Sequence, residues 1–262
     1  MKIAIIGYGK MGKIVERIAL EQGHTVVAIV ESLPQDFNPP SGAPLYRAIA
    51  ESGDLCGAET AIEFTQPDTA LVHIKALAEK KIPAVIGTTG WHDRLDEARR
   101  VVEQAGTSLI WASNFSLGVN IFYHIAWYAA QLADSFPEYD VGGFESHHNK
   151  KLDSPSGTAK TLVEGVLARM KRKNTAVWET LDRRPQPGEL HFPSLRVGSV
   201  PGTHSLFFDS PSDTIEITHT ARSREGFATG AIRAAQWLSG HDAACRRTGF
   251  FTIDDMMKDI LG

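Results

Sequence analysis

KIAIIGYGKMG, residues 2–12, decides the fold of this chain. Residues 2–6 form an Ile-rich apolar run that predicts a buried strand, and glycines follow at once in the pattern GxGxxG. Residues 10–21 then carry apolar side chains at helical spacing. A strand, a glycine turn and a helix in this order are typical of a dinucleotide-binding unit. Its glycines permit a tight turn, the approach of a pyrophosphate and close packing of the helix.

An acidic residue at the end of the next predicted strand strengthens this interpretation. GHTVVAIVE, residues 23–31, predicts a strand that ends at Glu31. A carboxylate at that position hydrogen-bonds the adenosine ribose hydroxyls and repels a 2′-phosphate. No arginine follows it, although Lys10 offsets part of the repulsion. We therefore expect NADH as the preferred cofactor, with NADPH tolerated; the alternative is a glycine-rich turn without a ligand.

Strands and helices alternate with short connections through the first half of the chain. The predicted strands are residues 60–64, 83–87 and 108–113, and the predicted helices are residues 46–51, a helix opened by Pro67, and residues 93–104. Such alternation indicates βαβ units and a doubly wound parallel sheet.

Two short segments, GTTG at 87–90 and ASNFS at 112–116, follow strands of this predicted sheet. Ligands of open α/β sheets bind beyond the carboxyl ends of the strands, so both segments are candidates for holding a nicotinamide and its ribose. Ordinary turn chemistry is the alternative for each segment.

The pattern changes after residue 114. The predicted elements there are helices at 118–136 and 155–172, a strand at 139–145, and three strand-like runs at 194–200, 204–210 and 213–221. Runs of strands beside one or two helices predict a second domain of the α+β class. Helices at 226–238 and 254–261 close the chain.

Composition argues against several classes of function. The 262 residues carry a net charge of −4, which disfavours a general binder of nucleic acid or of anionic membranes. Cys56 and Cys245 form neither a CxxC pair nor a Cys/His metal spacing, which fits a reducing compartment. The apolar run near the N-terminus is too short for a signal peptide's apolar region or a membrane span, and no later run approaches eighteen apolar residues. We expect a cytoplasmic protein.

Residues 145–160, ESHHNKKLDSPSGTAK, concentrate titratable and helix-starting residues. Ser154 suits the N-cap of a helix and Pro155 suits its first position. The next three residues would then lie in the first turn and bind a carboxylate or phosphate through N–H groups and outward hydroxyls: Ser156, Gly157 and Thr158.

Two histidines and a lysine precede this predicted anion site. Histidine is the usual residue for proton transfer near neutral pH, and His147 and His148 are within reach. Lys151 would hold a second anionic group or donate a proton. A solvated loop is the alternative. A metal site is disfavoured because adjacent histidines on a strand point to opposite faces.

The same residues closely resemble the E-x-H-H-x-x-K-x-D-x-P-S-G-T-A signature of the dihydrodipicolinate reductases, also called 4-hydroxy-tetrahydrodipicolinate reductases. The resemblance extends through EFTQP, VIGTTG, SNFSLGVN, RVGSVPGTH and ITHTARSREGFATGA, and so covers nearly the whole chain. It implies NAD(P)H-dependent reduction of a cyclic dicarboxylate, 4-hydroxy-tetrahydrodipicolinate, to tetrahydrodipicolinate in the diaminopimelate route to lysine. It also implies a dinucleotide-binding domain at 1–115 and 223–262, and a substrate-binding domain at 116–222. Members of the family are usually homotetramers, assembled through an open mixed sheet of the second domain.

The roles known in the family carry over onto matching positions. His147 would be the general acid/base and Lys151 the second proton donor, while His148 would join residues 156–158 in binding the substrate carboxylates. The resemblance implies that the cofactor is held by Gly7, Tyr8, Gly9, Lys10, Met11, Gly12, Glu31, Gly87, Thr88, Thr89, Ala112, Ser113, Asn114 and Phe115. Many members have a glycine turn of the form GxxGRMG, which is one residue longer than GYGKMG and contains an arginine that this chain lacks.

Two other classes of function remain open. A different two-domain oxidoreductase, such as an amino-acid or sugar dehydrogenase, would share GxGxxG but lack the His-His-Lys and Pro-Ser-Gly-Thr-Ala block. A non-enzymatic nucleotide sensor would keep the fold and show losses at His147 or Lys151, and both residues are present.

Overall fold

A computed structural model describes residues 1–32, 38–240 and 246–261; residue 261 is described by its backbone only. The chain divides into two compact units: unit 1 comprises Met1–Ser116 with Glu225–Gly262, and unit 2 comprises Leu117–Arg224. Within the described residues, no helix is both long and apolar enough to cross a membrane. Cys56 is free and exposed, and Cys245 lies outside the described residues.

Unit 1 is built on a parallel sheet. Its strands, among the described residues, are β1 (Lys2–Ile6), β2 (Thr25–Val30), β3 (Leu45–Tyr46), β4 (Thr60–Glu63), β5 (Ala84–Ile86), β6 (Ser108–Trp111) and β13 (Gly249–Thr252). They lie in the order β3-β2-β1-β4-β5-β6-β13, and every neighbouring pair is parallel. The strand order reverses between β1 and β4, which is the switch point of a doubly wound sheet.

Helices cover both faces of this sheet because its strands are apolar on both sides. The helices of unit 1 are α1 (Lys10–Glu21), α2 (Pro67–Glu79), α3 (Leu95–Ala105), α6 (Glu225–Ser239) and α7 (Ile253–Leu261). Ala4 and Ile6 of β1 belong to the core formed with α2 and α3. By strand alternation, Ile3 and Ile5 face the other side, where α1 packs against α6.

Unit 2 combines a mixed sheet with two packed helices. Its elements are α4 (Leu117–Ala133), β7 (Asp140–His147), α5 (Gly157–Leu167), β8 (Thr175–Val177), β9 (Glu189–His191), β10 (Ser194–Arg196), β11 (Thr203–Asp209) and β12 (Thr214–Thr220). The main sheet has the order β10-β7-β11-β12, in which β10 runs parallel to β7 and the other pairs are antiparallel. Strands β8 and β9 form a separate parallel pair.

One face of the mixed sheet is covered by α4 and α5, and the other is open. Leu206 and Phe208 of β11 are buried in the core with the two helices. Phe207 points to the opposite face, where its ring stacks on Phe144 with centroids 6.1 Å apart. Phe144 is 38% exposed. The apolar run at 206–208 therefore divides between the core and the open face.

These elements confirm the predicted fold class, a doubly wound parallel sheet with an α+β domain on an open mixed sheet. Several local predictions were wrong. Tyr46, predicted to begin a helix, lies in β3, and only Ile49–Ser52 form a short 3-10 helix. Strand β7 continues to His147 instead of ending at Glu145, and α5 spans Gly157–Leu167 instead of 155–172.

Candidate functional site

The turn between β1 and α1 is so tightly packed that two of its glycines leave no room for a side chain. Gly7 has a φ of +89°, and an added Cβ would lie 2.1 Å from the Phe64 carbonyl oxygen. A Cβ on Gly12 would lie 2.2 Å from the carbonyl oxygen of Gly7, so helix α1 packs directly on the turn. Gly9, the N-cap of α1, differs because an added Cβ would meet no atom within 4 Å. The space beside Gly9 is therefore open to a phosphate at the helix N-terminus.

Glu31 follows β2 and turns its carboxylate towards this turn. The Tyr8 N–H donates to Glu31 Oε2 at 2.8 Å. The Tyr8 hydroxyl donates to the buried carboxylate of Glu16, which also accepts from the N–H of Ser41 at 3.0 Å. Burial and the Glu16 carboxylate raise the pKa of Tyr8 above its ordinary value. Glu16, to which the sequence analysis gave no role, thus connects the segment at Ser41 to the glycine turn by hydrogen bonds.

The residues after β5 are packed against the segment that follows β4. A Cβ on Gly87 would overlap the Phe64 ring at 2.1 Å. Thr88 is buried, and its Oγ1 accepts from the Thr65 N–H at 2.7 Å. Thr89 is exposed beside them. The close contacts bring the ends of β4 and β5 together.

The residues after β6 alternate between buried and accessible positions. Ala112 and Phe115 are buried, Ser113 is exposed, and Asn114 is half-buried with its Oδ1 accepting from the Ser116 N–H at 2.8 Å. The predicted cofactor residues all follow directly on β1, β2, β5 and β6, at the edge where open α/β sheets bind ligands. The open space at Gly9 and the carboxylate of Glu31 fit the pyrophosphate and ribose of a dinucleotide.

In unit 2, His147 is the last residue of β7 and is enclosed by other groups. It is 7% exposed. A Cβ on Gly202 would lie 2.9 Å from His147 Nε2, so glycine is required there. The His204 ring meets the His147 ring edge-on, with centroids 5.2 Å apart. Burial lowers the pKa of His147 to about 4, against the opposing effect of the Glu145 carboxylate. His147 is therefore neutral near pH 7.

Glu145 lies two residues before His147 on the same face of β7 and is fully buried. Its Oε2 lies 3.5 Å from His147 Nδ1 and 3.3 Å from His204 Nε2. Its Oε1 lies 3.1 Å from Nη2 of Arg196 and accepts from the Ser194 hydroxyl at 2.7 Å. Burial by itself raises the pKa of Glu145, but hydrogen bonds from His204 and the neighbouring serines bring it well below its ordinary value. The residue is therefore an anion.

The same carboxylate fixes the start of α5. Ser156, and not Ser154, is the N-cap, because its Oγ accepts from the Ala159 N–H at 3.1 Å. The predicted outward hydroxyl of Ser156 was also wrong: the residue is 2% exposed, its hydroxyl donates to Glu145, and its N–H donates to Glu145 Oε1 at 3.0 Å. Gly157, the first residue of the helix, is exposed, and Thr158 is half-buried. Because Ser156 is bound to Glu145, its side chain is buried and the N-cap of the helix lies two residues later than predicted.

The loop between β7 and α5 carries the remaining predicted residues. Lys151 Nζ lies 2.9 Å from Oδ2 of Asp153. Arg196 Nη2, which contacts Glu145, also donates to the Asp153 carbonyl oxygen at 2.6 Å. His148 is half-buried, and its Nδ1 has no hydrogen-bond partner among the described residues. One guanidinium therefore connects the buried carboxylate to the loop that holds the lysine.

The structure thus places the predicted proton-transfer and substrate residues together in unit 2, and the predicted cofactor residues together in unit 1. It adds Glu145, Arg196 and His204, to which the sequence analysis gave no role. The spacing of Glu145 and His147, two residues apart on a strand, predicts a shared face and would have singled out the carboxylate.

Glu145, His147 and His204 have the composition of a metal site, with ligand atoms within 4.8 Å of one another. Arg196 and two serine hydroxyls already contact the carboxylate, however. A metal ion bound there would have to displace these donors. The arrangement is that of a hydrogen-bonded anion rather than of a vacant metal ligand.

Comparisons with known proteins point to one family. The models for the N-terminus and the C-terminus of dihydrodipicolinate reductase match residues 1–115 and 118–257. The 4-hydroxy-tetrahydrodipicolinate reductase of Christiangramia forsetii is 38% identical over 262 residues, which cover 99% of each chain. The enzyme of the same name from Staphylococcus aureus strain Newman is 34% identical over 98% of this chain and 100% of its own.

Solved structures share the fold. A dipicolinate-bound dihydrodipicolinate reductase from Paenisporosarcina sp. TG-14 has a TM-score of 0.77 at 20% identity, over 96% of this chain and 97% of that chain. An amine dehydrogenase from Mycobacterium smegmatis has a TM-score of 0.63 at 12% identity, over 97% of this chain and 95% of its own. Because both proteins share the architecture, the fold by itself does not choose between these activities.

Proposed function

Since the chain belongs to the dihydrodipicolinate reductase family, we propose that it reduces 4-hydroxy-tetrahydrodipicolinate to tetrahydrodipicolinate with a nicotinamide cofactor, a step of the diaminopimelate route to lysine. Unit 1 is the dinucleotide-binding domain and unit 2 the substrate-binding domain. The observation that carries the proposal is that one buried carboxylate, Glu145, contacts both His147 and the first turn of α5. His147 and the start of α5 therefore lie side by side, as a proton donor next to an anion site would require.

The substrate is a dianion, and the groups around the start of α5 are suited to it. Gly157 and Thr158 lie in the first turn of α5, where the helix dipole favours negative charge. Lys151 and His148 in the preceding loop supply further donors for a carboxylate. Ser156 supports this turn and does not contact the substrate directly, because its hydroxyl and its N–H both donate to Glu145.

His147 supplies the proton of the reduction, with Lys151 as the second donor. The nicotinamide cofactor, when bound, supplies a hydride. Burial keeps His147 neutral in the free protein, with a pKa of about 4. A bound dicarboxylate raises the pKa of His147, because nearby negative charge favours the imidazolium form. The residue therefore becomes an acid when substrate is present.

Within unit 1, Glu31 is the residue that selects between the two nicotinamide cofactors. Its carboxylate lies against the glycine turn, 2.8 Å from the Tyr8 nitrogen, and would repel a 2′-phosphate. NADH is the preferred cofactor, with NADPH tolerated. Glu31→Ala should raise the ratio of kcat/KM for NADPH over NADH by about tenfold, a change of about 1.4 kcal/mol. An unchanged ratio would remove Glu31 from cofactor selection.

The open face of the mixed sheet, with its stacked Phe144 and Phe207, is the assembly surface of a homotetramer. The protein is cytoplasmic and acts on a small molecule, and neither nucleic acid nor a membrane is its partner.

Steady-state kinetics of two variants test the proposal. His147→Gln should lower kcat by about 100-fold, as expected for loss of a general acid, while NADH binding is retained. Lys151→Ala should lower kcat and raise the substrate KM together, whereas Lys150→Ala, at the adjacent exposed position, should change neither. Turnover of His147→Gln near the wild-type rate would refute the catalytic assignment, and an unchanged KM in Lys151→Ala would remove its role in substrate binding.

A further inference from the structure

The face of the mixed sheet that packs on α4 and α5 changes character along β7 and β11. Val141 and Phe208 pair at one end of these strands and lie in the apolar core. Glu145 pairs with His204 at the other end, and both are buried. The buried charge of Glu145, paired with Arg196, is weak evidence for stability, since apolar residues of similar volume often serve the fold as well or better. Stability of the fold therefore does not explain why Glu145 and His204 are buried at this end of the sheet face.

We propose that Glu145 is a positioning residue for the reduction: with His204 and Arg196, its carboxylate sets the charge beside the His147 imidazole, 3.5 Å away, and holds the first turn of α5 next to it by hydrogen bonds to Ser156. This inference rests on the proposed function. Glu145 is assigned no contact with substrate or cofactor, and it acts through His147 and Ser156.

Many groups surround the single carboxylate of Glu145. Oε1 faces the Ser156 N–H, the Ser194 hydroxyl and Arg196, and Oε2 faces the Ser156 hydroxyl and both imidazoles. These groups come from β7, β10, β11 and the start of α5. A displacement of the carboxylate would therefore disturb the proton donor and the anion-binding turn together.

Several charged groups lie around His147. Glu145 on β7 carries the negative charge that raises the pKa of His147, while His204 on β11, Lys151 in the loop and Arg196 on β10 all lower it. Burial lowers it further and is the largest effect. Loss of the Glu145 charge would leave the imidazole surrounded by groups that oppose its protonation. A proton donor in that environment would stay neutral to lower pH.

The test is the pH dependence of kcat in full-length variants. Since the acid form of His147 is required, kcat of the wild type falls as pH rises through the pKa of His147 in the substrate complex. This fall is the alkaline limb of the pH profile. Glu145→Gln keeps the shape of the side chain and removes its charge, and it should move the limb to lower pH by about one unit. His204→Gln removes a group that lowers the pKa and should move the limb to higher pH. Opposite shifts would not follow from loosened packing.

Glu189→Gln is the matched control, because Glu189 is a half-buried carboxylate of unit 2 whose partners among the described residues are Arg183 and the Gln186 N–H. It should leave the limb in place. A limb in Glu145→Gln that coincides with that of Glu189→Gln would overturn the inference while the proposed function stands. If Glu145→Gln does not fold, an unmoved limb in His204→Gln would overturn the inference instead.

A second measurement does not depend on turnover. The imidazole of His147 can be titrated by NMR in the free protein, with its signal identified by the loss of that signal in His147→Gln. The pKa of His147 should be lower in Glu145→Gln than in the wild type and higher in His204→Gln. Equal values in all three proteins would refute the coupling, whereas failure of the wild type to turn over would refute the proposed function alone.

Discussion

The burial of a neutral His147 makes the stability of this protein depend on pH in a defined window. In the unfolded chain a histidine titrates near 6.5, while in the folded protein the pKa of His147 is about 4. Between these values the unfolded chain binds the additional proton. The free energy of unfolding therefore falls as the pH falls, by up to about 1.4 kcal/mol per pH unit and by about 3 kcal/mol over the whole window. The contribution is fully present above pH 6.5.

Urea unfolding of the wild type and of His147→Gln, without ligands, measures this effect. The difference in unfolding free energy between the two proteins should shift in favour of the variant as the pH is lowered from about 7 towards 4.5. Glu145 contributes to both proteins and largely cancels in the difference. His92→Gln, which replaces an exposed histidine, is the control variant. Parallel curves for the wild type and His147→Gln would refute the assignment of a low pKa to this buried imidazole.

Further predictions concern the glycine turn and the open sheet face. Gly9→Ala should reduce NADH affinity at least about tenfold with the unfolding free energy changed by less than about 1 kcal/mol, because its Cβ meets open space in the free protein. Gly12→Ala should lower both the NADH affinity and the free energy of unfolding, since its Cβ would lie 2.2 Å from the carbonyl oxygen of Gly7. Fluorescence titration and urea unfolding measure the two quantities, and equal results for the two variants would contradict this distinction. Phe207→Glu should dissociate the proposed tetramer by placing a charge beside Phe144, as light scattering would show, and an unchanged mass would place the interface elsewhere.

The dinucleotide-binding unit was predictable because its signals are local and agree with one another. The apolar run of β1, the glycines and the helical periodicity of α1 all lie within a few residues of each other. Strand β13 was not predicted, since it contributes four residues and pairs with β6 far earlier in the chain. Strands β8 and β9 have three residues each, too few to show a period.

The candidate site was predictable by residue type and not by contact. The sequence singled out His147, Lys151 and the start of α5. It favoured Ser154 as the N-cap because Pro155 is a good first residue of a helix, and no local signal shows that Glu145 captures Ser156. Arg196 and His204 reach the site through the register of β10 and β11 on β7, which depends on contacts distant in sequence.

The central claim is that this chain is a nicotinamide-dependent reductase of the cyclic dicarboxylate. The most direct measurement is the oxidation of NADH and of NADPH by the wild-type protein, with the substrate formed in situ by a synthase from pyruvate and aspartate semialdehyde. We predict oxidation that requires the synthase, with the larger kcat/KM for NADH. A folded protein that binds NADH and yet oxidises neither cofactor in the presence of the synthase product would contradict the claim.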